Sequence, residues 1–205
     1  MNEQLDTAAL LIIDVQNDFC PQGALAVPEG DQIIPVINQW SSLFAAQSRP
    51  VIATQDWHPE GHISFASRPI QPGQERGIWP DHCVQGTVGA ELHPALNKKP
   101  INLILRKGFR TSIDSYSAFF ENDRTTPTGL EGYLKYLGID TLYLCGLATD
   151  YCVKYSALDA RSLGYQVYIL EHGVRGVDYP AGSLAQALTE LQAAGVRFIH
   201  EDLPS

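Results

Sequence analysis

The chain has 205 residues, 44% of them hydrophobic and 18% charged. That length fits one domain spanning 1–205, and that balance allows a sizeable core and argues against a disordered chain. Fourteen Lys+Arg against 23 Asp+Glu leave a formal charge of −9, which disfavours a bulk electrostatic grip on nucleic acid or on an anionic membrane. No apolar run approaches the roughly 20 residues of a bilayer span. The first eight residues, MNEQLDTA, are polar, so no secretory signal is expected and the expected setting is cytoplasmic. Cys20, Cys83, Cys145 and Cys152 have no CxxC spacing and read as free thiols.

In chain order, residues 8–14 (AALLIID) form an apolar run that ends in a carboxylate. Residues 31–47 have helical spacing, with Ile33, Ile34, Ile37, Trp40 and Phe44 on one side. Strands are expected at 50–54 and 101–106, then a helix over 130–137 stopped by Gly138. A strand at 141–145 leads into a helix over 150–163, with Gly164 just past its end. A strand at 166–170, a helix over 183–194 and a strand at 196–200 complete the alternation. Strands apolar on both faces, with helices between them, predict a three-layer α/β/α domain around a six-stranded, mostly parallel, Rossmann-like sheet. Two long connections, 55–96 and 107–129, are rich in Gly, Pro, His and aromatic residues. Long ordered loops at the carboxyl ends of parallel strands are where sites are built.

Several common chemistries are missing. The first strand is followed by Asp-Val-Gln-Asn-Asp-Phe, with no Gly-rich dinucleotide or phosphate turn and no Gly-x-Ser-x-Gly elbow. A phosphatase of the haloacid-dehalogenase type would carry a second Asp where this chain has Gln16.

Three strand ends carry residues that could react together: Asp14, Lys107 and, a few residues past the fourth strand, Cys152. Taken singly, each has a bland reading as a cap, a solvated charge or a small core filler. Thr149 is a good N-cap, which would put Cys152 near the third helical position, where the helix dipole favours a thiolate. A helix terminus supplies about 0.3–1 kcal/mol. Two pKa units need about 2.7 kcal/mol. The remainder must come from a cation such as Lys107 or from a base such as Asp14. A second constellation follows the second strand. Asp56 and His58, two apart, face one side of an extended segment, and His82 lies in the same loop. One carboxylate and two imidazoles suit a divalent transition metal, with ordinary hydrogen-bonding loop histidines as the alternative.

These residues sit in segments that resemble the nicotinamidase branch of the isochorismatase-like cysteine hydrolases. The matching segments are Asp14-Val-Gln-Asn-Asp-Phe19, Gly23-Ala-Leu-Ala-Val-Pro-Glu-Gly30, Gln55-Asp-Trp-His-Pro59, His62-Ile-Ser-Phe-Ala66, Trp79-Pro-Asp-His-Cys-Val-Gln85, Lys107-Gly108, Asp114-Ser-Tyr-Ser-Ala-Phe-Phe120 and Gly146-Leu-Ala-Thr-Asp-Tyr-Cys-Val153. The resemblance implies hydrolysis of nicotinamide, and of pyrazinamide, to the acid and ammonia, in the recycling of nicotinamide towards NAD. It implies a catalytic triad at Asp14, Lys107 and Cys152, and one divalent metal (zinc, iron or manganese) on Asp56, His58 and His82. His62 is left outside that set. It also implies a cis peptide at Leu147–Ala148, an oxyanion hole from the N–H groups of Ala148 and Cys152, and a ring pocket walled by Phe19, Trp79, Tyr116 and Leu147. The partner expected is a small-molecule substrate, with no nucleic acid or membrane, and monomer and homo-oligomer both stay open. The alternatives are another amidase of the superfamily, a metal-hydroxide hydrolase in which Cys152 is structural, and a non-catalytic binding protein on the same fold.

Overall fold

Every residue of Ala8–Ile13 is fully buried, and this strand, β1, organises the molecule. Alternate side chains of a strand point to opposite faces. Accordingly Ala8, Leu10 and Ile12 join one core cluster and Ala9, Leu11 and Ile13 the other. Fully burying one such large aliphatic side chain stabilises by about 1.5–3 kcal/mol, so a polar substitution in β1 would damage both layers. The computed structural model of the chain describes residues 5–70, 72 and 75–200. Residues 71, 73 and 74 of the expected 55–96 loop, and both ends of the 1–205 span, lie outside the described residues.

The other strands are β2 (Val51–Asp56), β3 (Leu103–Lys107), β4 (Thr141–Leu147), β5 (Gln166–Arg175) and β6 (Arg197–Ile199). They form one sheet in the order β3-β2-β1-β4-β5-β6. All five pairings are parallel, as the apolar runs predict. Helix α1 (Ile34–Ala46) covers one face through Ile34, Ile37, Trp40 and Phe44. On the other face lie α2 (Leu130–Tyr136), α3 (Lys154–Ser162) and α4 (Ser183–Ala193), through Leu130, Leu134, Ala157, Ala160 and Leu191. Among the described residues no helix is long and apolar enough to cross a membrane.

Most boundaries lie within one or two residues of the sequence reading, and three differ by three residues or more. The helix expected from residue 31 starts at Ile34, with Pro35 in its first turn, where a missing N–H costs nothing. The helix expected over 150–163 is divided: Thr149–Val153 is wound as a π-helical turn and α3 begins at Lys154. Thr149 therefore lies inside the turn and makes no side-chain cap, because the cap position falls on Ala148. The strand expected to end at residue 170 runs on to Arg175. Its pairing with β4 jumps from Leu144↔Ile169 to Gly146↔Val174, a bulge that the polar Glu171-His172-Gly173 stretch had disguised as a strand end.

Candidate active site

The chain runs outward from β1 to β3 on one side of the sheet and then crosses to β4 on the other. The carboxyl ends of β1 and β4 thus form a topological switch point, where ligands of open parallel sheets bind. Asp14 follows β1 at φ 49°, a left-handed conformation that Asp tolerates better than bulkier residues. Thr54 Oγ1 donates to Asp14 Oδ1 at 2.6 Å. Asp56 and Lys107 are register partners at the ends of β2 and β3, so their side chains share a face.

Lys107 is buried and joins the strand ends. Its Nζ lies 2.8 Å from Asp14 Oδ2 and 2.5 Å from Asp56 Oδ1. It donates to Asp56 Oδ1, to the Ser115 carbonyl at 2.9 Å and to Cys152 Sγ at 3.4 Å. Asp14 Oδ2, 2.8 Å from the same ammonium, is held by that charge and by side-chain hydrogen bonding with Lys107 and Cys152. Oxygens of Asp14 and Asp56 and the Cys152 sulfur lie within 4.8 Å of one another. The sequence-predicted trio is thus brought together around one sulfur.

Burial pushes the Asp14 carboxyl up from its ordinary value, against the pull of Lys107. Burial also pushes the Cys152 thiol well up, more than Lys107 lowers it, and the charges of Asp14 and Asp56 add to the rise. For Lys107 burial works the other way, but Asp14 and Asp56 outweigh it and hold the ammonium charged. The resting pair is then a neutral thiol beside an unusually basic carboxylate. The helix dipole does not deliver a standing thiolate here, since the sulfur is largely buried beside two acids.

The second constellation also converges. His58 Nε2 lies 3.6 Å and His82 Nε2 3.9 Å from Asp56 Oδ2. The other ring nitrogens donate to backbone carbonyls, His58 Nδ1 to Gly108 at 2.8 Å and His82 Nδ1 to Pro80 at 2.7 Å. Such bonds fix the tautomer that leaves each Nε2 lone pair free for a metal. Gly108 permits this placement, because a Cβ there would come within 2.5 Å of His58 Cε1. Asp56 Oδ1 faces Lys107, so Oδ2 completes a donor set of two imidazoles and one carboxylate that fits a divalent transition metal. His62 stacks on His58 with ring centroids 4.1 Å apart. Its own nitrogens are engaged by Ser64 Oγ at 2.7 Å and the Ile113 carbonyl at 3.2 Å.

A cavity partly open to solvent joins the two constellations. Phe19, Trp79, Tyr116, Ala148 and Cys152 line it together with Asp56, His58 and His82. Trp79 Nε1 donates to the Tyr116 hydroxyl at 2.9 Å, which locks two aromatic walls together. Leu147 does not line it. Its side chain is fully buried in the core cluster on the α1 face, because alternation along β4 turns it away from the residue after it. The Leu147–Ala148 bond is cis. Both Ala148 and Cys152 border the cavity.

A sequence profile described as an isochorismatase domain matches residues 8–200. The chain belongs to the isochorismatase-domain family. A relative in this family, the nicotinamidase of Escherichia coli (strain K12), is 49% identical over 195 residues, 91% of this chain and 92% of its own length. The solved structure of Acinetobacter baumanii nicotinamidase/pyrazinamidase superposes with a TM-score of 0.88 at 48% identity, covering 96% of this chain and 97% of that one. That of the Pyrococcus horikoshii pyrazinamidase in complex with zinc gives 0.82 at 38% identity, covering 95% and 99%. Sequence reasoning missed several residues at this isochorismatase-domain site. Tyr151, Asp114, Leu25, Val27 and Val177 also line the cavity. Tyr151 could have been found from its place beside Cys152 in the turn. Val177 could not, because it lies just past the end of β5, which the sequence pattern ends at residue 170.

Proposed function

We propose that this chain is a nicotinamidase, hydrolysing nicotinamide to nicotinate and ammonia through a thioester on Cys152. The carrying observation is the convergence of Asp14 and Lys107 on Cys152, which lines a cavity walled by aromatic rings. The likeness to nicotinamidases over more than nine-tenths of the chain supports the same reading. Four unpaired thiols are in keeping with a reducing, cytoplasmic setting.

Asp14, made more basic by its burial, takes the Cys152 proton as the sulfur attacks the carboxamide carbon. Removal of the proton at the moment of attack is what a thiol held neutral requires. Lys107 stays protonated throughout and offsets the negative charge that passes between sulfur and carboxylate. The N–H groups of Ala148 and Cys152 receive the oxyanion, and one such donor contributes about 2.7–4 kcal/mol. Asp14 then returns the proton to the departing nitrogen and ammonia leaves. Water, deprotonated by Asp14, attacks the thioester carbon, and the C–S bond breaks to release nicotinate and restore the thiol. Phe19, Trp79 and Tyr116 present flat faces to the ring. A divalent ion held by Asp56, His58 and His82 would supply a Lewis-acid contact for the pyridine nitrogen. Zinc is the ion proposed, in keeping with the zinc found in the Pyrococcus horikoshii relative.

Ammonia release from nicotinamide, measured with and without a chelator, tests the reading. Release that a chelator suppresses and added zinc restores is expected. No release with any of zinc, iron or manganese supplied would overturn it.

A further inference from the structure

Asp150 is a buried carboxylate for which the chemistry above has no use. It sits two residues before Cys152 in the π-helical turn, is 2% exposed, and does not line the ring cavity. Its oxygens are taken up by the stretch that follows β5. Oδ1 accepts from the Val177 N–H at 3.0 Å, and Oδ2 accepts from the Asp178 N–H at 2.9 Å and from Ser183 Oγ at 2.6 Å. Charge-assisted bonds of this kind are the strong ones, and three of them converge on one carboxylate.

The stretch so held forms a wall of the cavity. Val177 lines it directly. The Tyr151 hydroxyl, from the turn itself, donates to the Tyr179 carbonyl. Tyr151 in turn meets Trp79 edge-on, with centroids 4.9 Å apart, and the Tyr179 ring lies 6.1 Å from that of Trp79. Asp150 therefore joins the turn carrying the nucleophile to the wall that faces the ring, without touching either reacting group.

We propose that Asp150 is a positioning residue that sets affinity for the flat ring: it seats residues 177–183 so that Val177 and the Tyr151–Trp79 pair close on the substrate. This rests on the nicotinamidase reading and adds to it a determinant of substrate binding. Val177 offers the ring only apolar contact, which is the same before and during the reaction. Loosening it removes uniform binding, which raises KM and leaves kcat near its original value.

The test compares Asp150→Asn with Ser183→Ala. The first replaces an acceptor oxygen by an NH2 group that faces donors, and the second deletes one of the three bonds and leaves the carboxylate. Steady-state turnover of nicotinamide is normalised to the Cys152 thiol that can be titrated. KM is expected to rise by about tenfold for Asp150→Asn and about threefold for Ser183→Ala, with kcat within about threefold of the starting enzyme. Calorimetric affinity for nicotinate should fall by matching factors. A loss confined to the amount of folded, titratable enzyme, with KM unchanged, would make Asp150 a structural anchor for residues 177–183 and nothing more, and would overturn the proposal. If Asp150→Asn does not fold, Ser183→Ala decides alone, an unchanged KM counting against the proposal. Failure of the unsubstituted enzyme to release ammonia is a separate result and overturns the nicotinamidase reading instead.

Discussion

Lys107→Met would leave two buried carboxylates without their common cation. Methionine nearly matches the length and volume of lysine, so packing is preserved and the loss is electrostatic. The ammonium sits 2.8 Å from Asp14 and 2.5 Å from Asp56, with no exposed side-chain surface. Removing one partner of a buried ion pair costs about 3–5 kcal/mol, a large share of a total stability of about 5–15 kcal/mol. The loss should depend on pH. Burial already raises the Asp14 pKa, and Lys107 is the strongest influence opposing that rise, so its removal raises the value further. An acid whose folded pKa exceeds its unfolded value, near 3.9, binds more protons when folded. Its stabilisation is complete below the unfolded value and is lost as pH climbs through the folded one. The variant should therefore be most stable in acid and weaken towards neutrality more steeply than the starting protein. Urea unfolding of metal-free protein between about pH 5 and 8 gives both the size and the slope. Adding Asp14→Asn to Lys107→Met should recover part of the loss, because the orphaned charge is gone. A single variant within about 1 kcal/mol of the starting protein near neutral pH, with no steeper slope, would refute the argument that this ammonium holds the two acids.

Three further outcomes are expected. Cys152→Ala should fold and keep its metal affinity while ammonia release from nicotinamide drops by about 10⁴ or more; near-normal turnover would exclude the thioester route. Gln16 clamps Asp56 by donating to its carbonyl at 2.8 Å and to that of Ala90 at 2.9 Å, and by accepting its N–H at 2.8 Å. Gln16→Glu turns the donor into an acceptor facing two carbonyls, so zinc affinity measured against a chromophoric chelator should fall by about 10–100-fold, and unchanged affinity would remove Gln16 from any supporting role. At Gly146, φ is 114° and a Cβ would lie 2.0 Å from the Ile13 carbonyl oxygen. Gly146→Ala should cost about 3 kcal/mol or more in chemical denaturation, and a loss under about 1 kcal/mol would show that β1 and β4 can part more easily than their contact suggests.

The parallel sheet was readable because β1, β2 and β4 are buried on both faces and each is built around a short apolar run, AALLII in β1, VIA in β2 and LYLC in β4. The ends were harder. Gln55 and Asp56 remain in β2 although both are polar, since Gln55 finds the Ala90 carbonyl and Asp56 finds Gln16 and Lys107. Period and hydropathy cannot register partners supplied from 35 to 51 residues away. The same limit hid the continuation of β5 past its bulge, and with it Val177. Asp14, Lys107 and Cys152 could be singled out as unusual residues at strand ends, but that they meet is a property of strand order, which spacing along the chain does not contain. The resemblance places Leu147 in the ring pocket, which it does not line. Its orientation follows from alternation in β4, which turns it towards α1.

Asp14, Asp56, His58, His82 and Lys107 all precede residue 110, whereas Cys152 lies in the turn that follows β4, the strand inserted between β1 and β5. During synthesis the earlier group can emerge from the ribosome and begin to assemble while the sulfur is still unmade. Chemical competence arrives only when the later half of the sheet docks, so a half-finished or clipped chain would carry the acids and imidazoles without a nucleophile among them.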